Sequence, residues 1–173
     1  MPGGPGYTQT NAIVAALRLN TVCQEAQCPN IGECWGHGTA TFMLMGDVCT
    51  RNCRFCAVSH GRMVELDPDE PGRVADAALK MGLSHVVVTS VNRDDLNDGG
   101  ASHFAETVHA IKRLQPDCTI EVLTPDFHGN EDAVSIVAQS PIDIFNHNTE
   151  SVPRLYKRVR PGAKYERSLR VLE

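Results

Sequence analysis

Cys49, Cys53 and Cys56 stand in the order Cys-x3-Cys-x2-Cys, with Phe55 beside the last of them. The motif directly follows Thr41-Phe-Met-Leu-Met45, a short apolar run that reads as a strand. The thiols therefore fall in a strand-end loop. A structural zinc site usually takes four protein ligands. An ordinary electron-transfer cluster takes four cysteines, at other spacings. Three thiolates this close can instead hold three irons of a cubane and leave one iron open to an outside molecule. The alternatives are a zinc knuckle completed by His60, or incidental buried cysteines.

A second group, Cys23, Cys28 and Cys34, has the spacing Cys-x4-Cys-x5-Cys. On a helix, residues five apart point in different directions, because each step turns about 100°. Pro29 and Gly32 also favour an irregular loop over residues 20–40, wrapped around a centre. Again there are three thiols and not four; the bland alternatives are a zinc loop, or a disulfide with a spare thiol. Cys118, just before an apolar strand, reads as a core thiol. Seven cysteines in 173 residues, with no secretory leader in Met1–Gly6, favour reduced, metal-binding or redox cysteines over a disulfide scaffold.

The rest of the chain has a regular rhythm. Apolar spacing predicts helices over 8–19, 69–81, 100–114 and 130–139, with Asn130 as an N-cap, and another from Tyr165 onward. Strands are expected at 41–45, 85–90, 119–123 and 142–145. The unbroken run His85-Val-Val-Val-Thr-Ser90 has the character of a buried parallel strand. Strands alternating with helices imply right-handed βαβ units and an α/β fold, as an open doubly wound sheet or part of a barrel. In both, the site is built by the loops after the strands. Those loops are 46–60, 89–100, 124–130 and 146–153. About four βα units are visible. A barrel needs more, and Tyr165–Glu173 reads as two helical turns with no stop signal, so a fragment is expected.

With 42% hydrophobic and 21% charged residues the chain has ordinary globular usage. Its net charge of −5 makes nucleic acid a poor partner, and no apolar run is long enough for a membrane-spanning helix.

Cys49-x3-Cys53-x2-Cys56 resembles the radical S-adenosylmethionine (SAM) superfamily, whose core is a full or partial (β/α) barrel. There the open iron is chelated by SAM, and reduction of the cluster cleaves the cofactor to a 5′-deoxyadenosyl radical. Phe55 matches the aromatic position beside the adenine. Both cysteine groups together, with Cys28-Pro-Asn-Ile-Gly-Glu-Cys-Trp35 and Cys53-Arg-Phe-Cys-Ala-Val58, resemble the lipoyl synthase family. So do Val88–Ala101, Glu121–Phe127, Phe145–Glu150 and Arg154–Gly162, so that the resemblance runs from about Thr8 to Leu172.

The resemblance implies insertion of two sulfur atoms, at carbons six and eight of a protein-bound octanoyl group, to make the lipoyl cofactor. It implies two 4Fe-4S clusters and SAM. Cys49, Cys53 and Cys56 would hold the radical-generating cluster, and Cys23, Cys28 and Cys34 a sulfur-donating auxiliary one. The expected division is an N-terminal extension, 1–40, and a radical SAM core, 41–173. Expected partners are an octanoylated lipoyl carrier protein or domain and an electron donor such as ferredoxin or flavodoxin. A cytoplasmic setting is expected, with an organelle matrix as the alternative. The family's Arg-Ser-Ser-Tyr segment, whose serine completes the auxiliary cluster, has no counterpart here; Arg167-Ser168-Leu169 is a different segment. Without that serine, metal binding at Cys23, Cys28 and Cys34 could be weak in this chain and turnover absent. Another radical SAM enzyme, or an inactive cluster-binding fragment, is the competing reading.

Among the remaining polar residues, Gly99 and Gly100 resemble the glycine-rich segment along the methionine part of SAM, against a simple turn leading into a helix. Asn146 and Asn148 stand where they could bond the cofactor's ribose or carboxylate, against ordinary turn asparagines. Asp94, Asp95 and Asp98 read as caps or loop carboxylates, with a ligand role as the alternative. His60, His128 and His147 lack ligand spacing and read as structural. Lys157, Arg158, Arg160, Lys164, Arg167 and Arg170 form a basic stretch, either a solvated face or a surface that steers an acidic carrier.

Overall fold

The computed structural model describes residues 4–37 and 39–173. It begins with α1 (Pro5–Ala16), where Pro5 starts the helix at a position that has no use for its missing N–H. β1 (Asn20–Thr21) follows, then α2 (Val22–Glu25) and α3 (Ile31–Gly36). Residues 20–40 are thus not one irregular loop. Thr21 caps α2 by accepting from the Gln24 N–H, and the turn at Gln27–Asn30 separates the two short helices. Trp35 of α3 is fully buried, stacked on Tyr7 of α1 at 5.3 Å between ring centres.

The main sheet contains β1, β2 (Thr41–Leu44), β5 (His85–Ser90), β6 (Thr119–Thr124) and β7 (Ile144–His147), side by side in that order. β1 runs antiparallel to β2, and the other four strands are mutually parallel. They are joined through α4 (Glu70–Lys80), α5 (Ala101–Leu114) and α6 (Glu131–Ala138), which pack against one another in turn. A doubly wound sheet reverses its strand order partway. Here each crossover moves one strand further in the same direction, which is the winding of a barrel wall. The two architectures left open by the sequence are separated by this order.

The core lies between sheet and helices. Phe42, Leu44, Val86, Val88, Ile120 and Val122 meet Val74, Phe104, Val108, Ile111 and Val137, all fully buried or nearly so. Burial of each such side chain contributes about 1.5–3 kcal/mol. The opposite face of the sheet is half-covered: Val87, Glu121 and Leu123 are only partly buried. The unbroken apolar run at 85–90 therefore does not mark a strand covered on both sides, because the helices occupy one face only.

Asn130 caps α6, its Oδ1 accepting from the Ala133 N–H at 3.1 Å. β7 begins two residues later than its apolar pattern suggests. Asp143 leads in, its carboxylate accepting from the Ile120 N–H at 2.8 Å and Lys112 Nζ at 3.0 Å. Beyond β7 come α7 (Pro153–Val159), which the sequence pattern did not reveal, and α8 (Tyr165–Val171). Among the described residues no helix is long and apolar enough to cross a membrane.

Candidate active site

The loop after β2 is closed at its neck by a parallel pair, β3 (Val48–Cys49) with β4 (Ser59–His60), in which Cys49 stands opposite His60. Glu70 fixes the turn into this loop: its Oε2 accepts from the Met45 N–H at 2.9 Å and lies 2.6 Å from His103 Nε2. Met45 has φ +67°, a left-handed conformation that costs a non-glycine residue free energy and needs such anchoring. The neighbouring loops hold the rest. Thr50 N–H donates to Asn92 O at 3.1 Å, and Arg54 N–H to Val159 O at 2.9 Å. The Cys49 sulfur accepts from the backbone N–H groups of Arg51 and Asn92, at 3.4 and 3.3 Å.

These constraints place Cys49, Cys53 and Cys56 on one cleft at the C-terminal ends of β2, β5, β6 and β7. Phe55, half-exposed, and Asn148 line it too, with Glu150, Arg160 and residues 89–92 and 123–125. Burial pushes the Cys53 thiol's pKa up, and the facing Arg160 guanidinium pulls it partly back. Among the described residues no three of His, Cys, Asp and Glu converge on a single metal ion. A cubane asks something else of the donors, since each thiolate meets a different iron. The cleft's donor set, three thiols and an open side, fits such a group.

Asn146 is not brought to the cleft: its Nδ2 donates to Glu121 Oε1 at 2.6 Å. Nor are Gly99 and Gly100. Gly99 packs on Phe127, and Gly100, at φ +90°, begins α5 where a Cβ would stand 2.2 Å from Met45 Sδ. Asp98 caps that helix, accepting from the Gly100 and Ser102 N–H groups, both at 2.9 Å. Asp95 pairs with Arg93. The second triplet is separate: Cys23 on α2, Cys28 in the turn and Cys34 on α3, each half-buried and none in a disulfide.

One network was not foreseen. Arg51, inside the cysteine motif, donates to both oxygens of Asp94 at 2.7 Å and to Asp126 at 2.6 Å. Arg167 of α8 approaches the other Asp126 oxygen at 3.2 Å. Burial alone would lower the Arg51 pKa and raise that of Asp126. Hydrogen bonds and charges outweigh it, from Asp94 and Asp126 on Arg51 and from Arg51 and Arg167 on Asp126, so Arg51 stays firmly charged and Asp126 lies below the usual carboxylate range. The available signal was position: Asp126 stands two residues past the end of β6. The basic stretch divides accordingly. Arg160 and Arg167 turn inward, while Lys157, Arg158, Lys164 and Arg170 are exposed.

His147 is buried, with Nδ1 2.8 Å from Thr124 O and Nε2 2.9 Å from Ser168 Oγ; burial lowers its pKa. Ser168 also meets the Tyr156 hydroxyl at 2.6 Å, so its oxygen is already engaged. His60 and His128 are exposed, and Cys118 is a buried core thiol.

A barrel-type wall with Cys-x3-Cys-x2-Cys on its first strand-end loop defines a class of protein, and the sequence pattern of the radical SAM superfamily matches residues 43–173. The chain belongs to that superfamily, whose members use a 4Fe-4S cluster and SAM. Within it, the chain is similar to lipoyl synthases. It is 62% identical to that of Rubrobacter xylanophilus over 172 residues, 99% of this chain and 54% of the relative. It is 60% identical to that of Caldanaerobacter subterraneus over 162 residues, 94% of this chain and 57% of the relative. With that of Dichelobacter nodosus it shares 54% over 173 residues, 99% of this chain and 53% of the relative. The chain spans about half the length of the curated relatives it matches.

Proposed function

We propose that this chain carries the two cluster-binding segments of a lipoyl synthase, which inserts sulfur at carbons six and eight of an octanoyl group borne by a lipoyl carrier protein or domain. The observation that carries this reading is the pairing of two separate cysteine triplets, one on the strand-end cleft and one on α2–α3. Cys49, Cys53 and Cys56 hold the first 4Fe-4S cluster; Cys23, Cys28 and Cys34 hold the second. When bound, these groups and SAM supply radical hydrogen removal from unactivated carbon and the sulfur to be inserted.

The protein's own part is geometry. Phe55 offers a flat apolar face and Asn148 a polar one to SAM in the cleft. The Arg51 clamp holds the cysteine loop against the ends of β5 and β6. No acid–base pair is needed, because an alkyl C–H bond has no acidity to exploit. A low-potential one-electron donor such as ferredoxin or flavodoxin goes with the reading.

Iron and sulfide per chain after anaerobic reconstitution test it. About eight irons are expected, as two cubanes. About four would leave the second triplet without its cluster, and bound zinc with little iron would overturn the proposal.

A further inference from the structure

Arg160 closes α7 and is only 8% exposed. A buried guanidinium is normally matched by a carboxylate, since an unpaired buried charge is costly. Arg51 and Arg167 share Asp126 in this way. Arg160 has no carboxylate partner among the described residues. Its Nη1 donates to the Tyr156 hydroxyl at 2.9 Å and to the Asn148 carbonyl, and its Cζ lies 5.4 Å from the Tyr156 ring centre. Its Nε is buried with no partner.

These contacts hold the charge in place without neutralising it. Arg160 lines the same cleft as the three thiols, Cys53 among them. The Arg54 N–H to Val159 O bond, 2.9 Å, fastens the cysteine loop to the end of α7 one residue earlier. The loop and the unmatched cation are therefore built as one unit.

We propose that Arg160 is the fixed counter-charge for the cluster held by Cys49, Cys53 and Cys56, and that it eases the cluster's one-electron reduction. This rests on the cluster reading above. Three thiolates on a cubane carry net negative charge, which grows by one when an electron arrives from a low-potential donor. No bond or proton changes at Arg160. Net charge and hydrogen bonds at the sulfurs set such potentials, so a buried cation beside one sulfur favours the reduced form.

The test is iron content and cluster midpoint potential, followed by electron paramagnetic resonance, in the reconstituted chain. The relevant signal is the one that changes when SAM is added. Arg160→Gln is expected to load as much iron as the parent and to show a more negative potential. Arg160→Lys keeps most of the parent potential, and Lys157→Gln, which removes an exposed charge nearby, leaves it unchanged. Full iron with an unchanged potential in Arg160→Gln overturns the proposal. So does an equal shift in Lys157→Gln, or an unchanged potential accompanied by loss of SAM binding, which would make Arg160 a carboxylate receptor instead. If Arg160→Gln holds no iron, Tyr156→Phe decides: it removes one of the two hydrogen bonds that hold the guanidinium and keeps the ring, and an unaltered potential counts against the counter-charge. A parent chain that takes up no iron through Cys49, Cys53 and Cys56 overturns the cluster reading and this inference together.

Discussion

The Arg51 guanidinium meets the Asp126 carboxylate at 2.6 Å with both side chains almost wholly withdrawn from water. Arg51 belongs to the cysteine motif and Asp126 to the loop after β6, so the contact ties the first strand-end loop to the third. Arg167 adds α8 to the same carboxylate.

Asp126→Asn keeps the shape but leaves two buried guanidinium groups short of charge. Breaking one member of a buried ionic set costs about 3–5 kcal/mol. Thermal unfolding followed by circular dichroism is expected to fall by roughly 10 °C. A shift within about 2 °C would mean that water replaces the carboxylate and that the clamp is not structural.

Glu70→Ala removes the acceptor shared by the Met45 N–H and His103. Each buried polar group left unmatched costs about 1–3 kcal/mol. The strained Met45 backbone also loses its anchor. Denaturant unfolding is expected to show the loss, and reconstituted iron to leave the protein faster under a chelator. Unaltered iron retention would separate the Glu70 joint from the loop.

Gly6 and Gly36 bring α1 and α3 into close approach. A Cβ on Gly6 would stand 2.4 Å from the Gly36 carbonyl oxygen, which is backbone and cannot swing aside. Gly6→Ala is expected to destabilise by about 1–3 kcal/mol. Trp35, the single tryptophan, sits in this contact, so its emission is expected to move to the red. Gly72→Ala is the counter-case: nothing lies within 4 Å of its Cβ, and helix propensity predicts a gain of about 0.5–1 kcal/mol. Equal behaviour of the two variants would contradict the packing described for α1 and α3.

Acid is expected to weaken the fold in two stages. His147 has a folded pKa below its ordinary 6.5, so its neutral form is the folded one. Its contribution is complete above 6.5 and is lost as the pH falls through the lowered value. Asp126 is also lowered; its contribution is complete above the ordinary 3.8 and disappears only at more acid pH. Urea unfolding at pH 7.5, 6 and 5 reads the first stage. His147→Gln is expected to flatten that segment, and a slope identical to the parent would remove His147 as its cause.

Most elements were legible because their signals are local. The helical stripes at 69–81 and 100–114 and the apolar runs at 41–45 and 119–123 repeat at the period of the structure they form. α7 escaped notice because only Tyr156 of its seven residues is buried. β1, β3 and β4 are two residues each, too short to carry a period, and exist through their partners. Gly99, Gly100 and Asn146 lie in strand-end loops or at a strand's end, yet the structure uses them for packing, for beginning a helix and for holding Glu121.

The cysteine spacings, the βα rhythm and the strand-end loops could be read along the chain, because each depends on residues close together in it. Tertiary structure alone decided the strand order, the inward turn of Arg160 and Arg167, and the choice of Asn148 over Asn146 for the cleft. Those depend on which groups meet after burial: a charge withdrawn from water must find its partner among residues that chain distance does not reveal, as Arg51 finds Asp126.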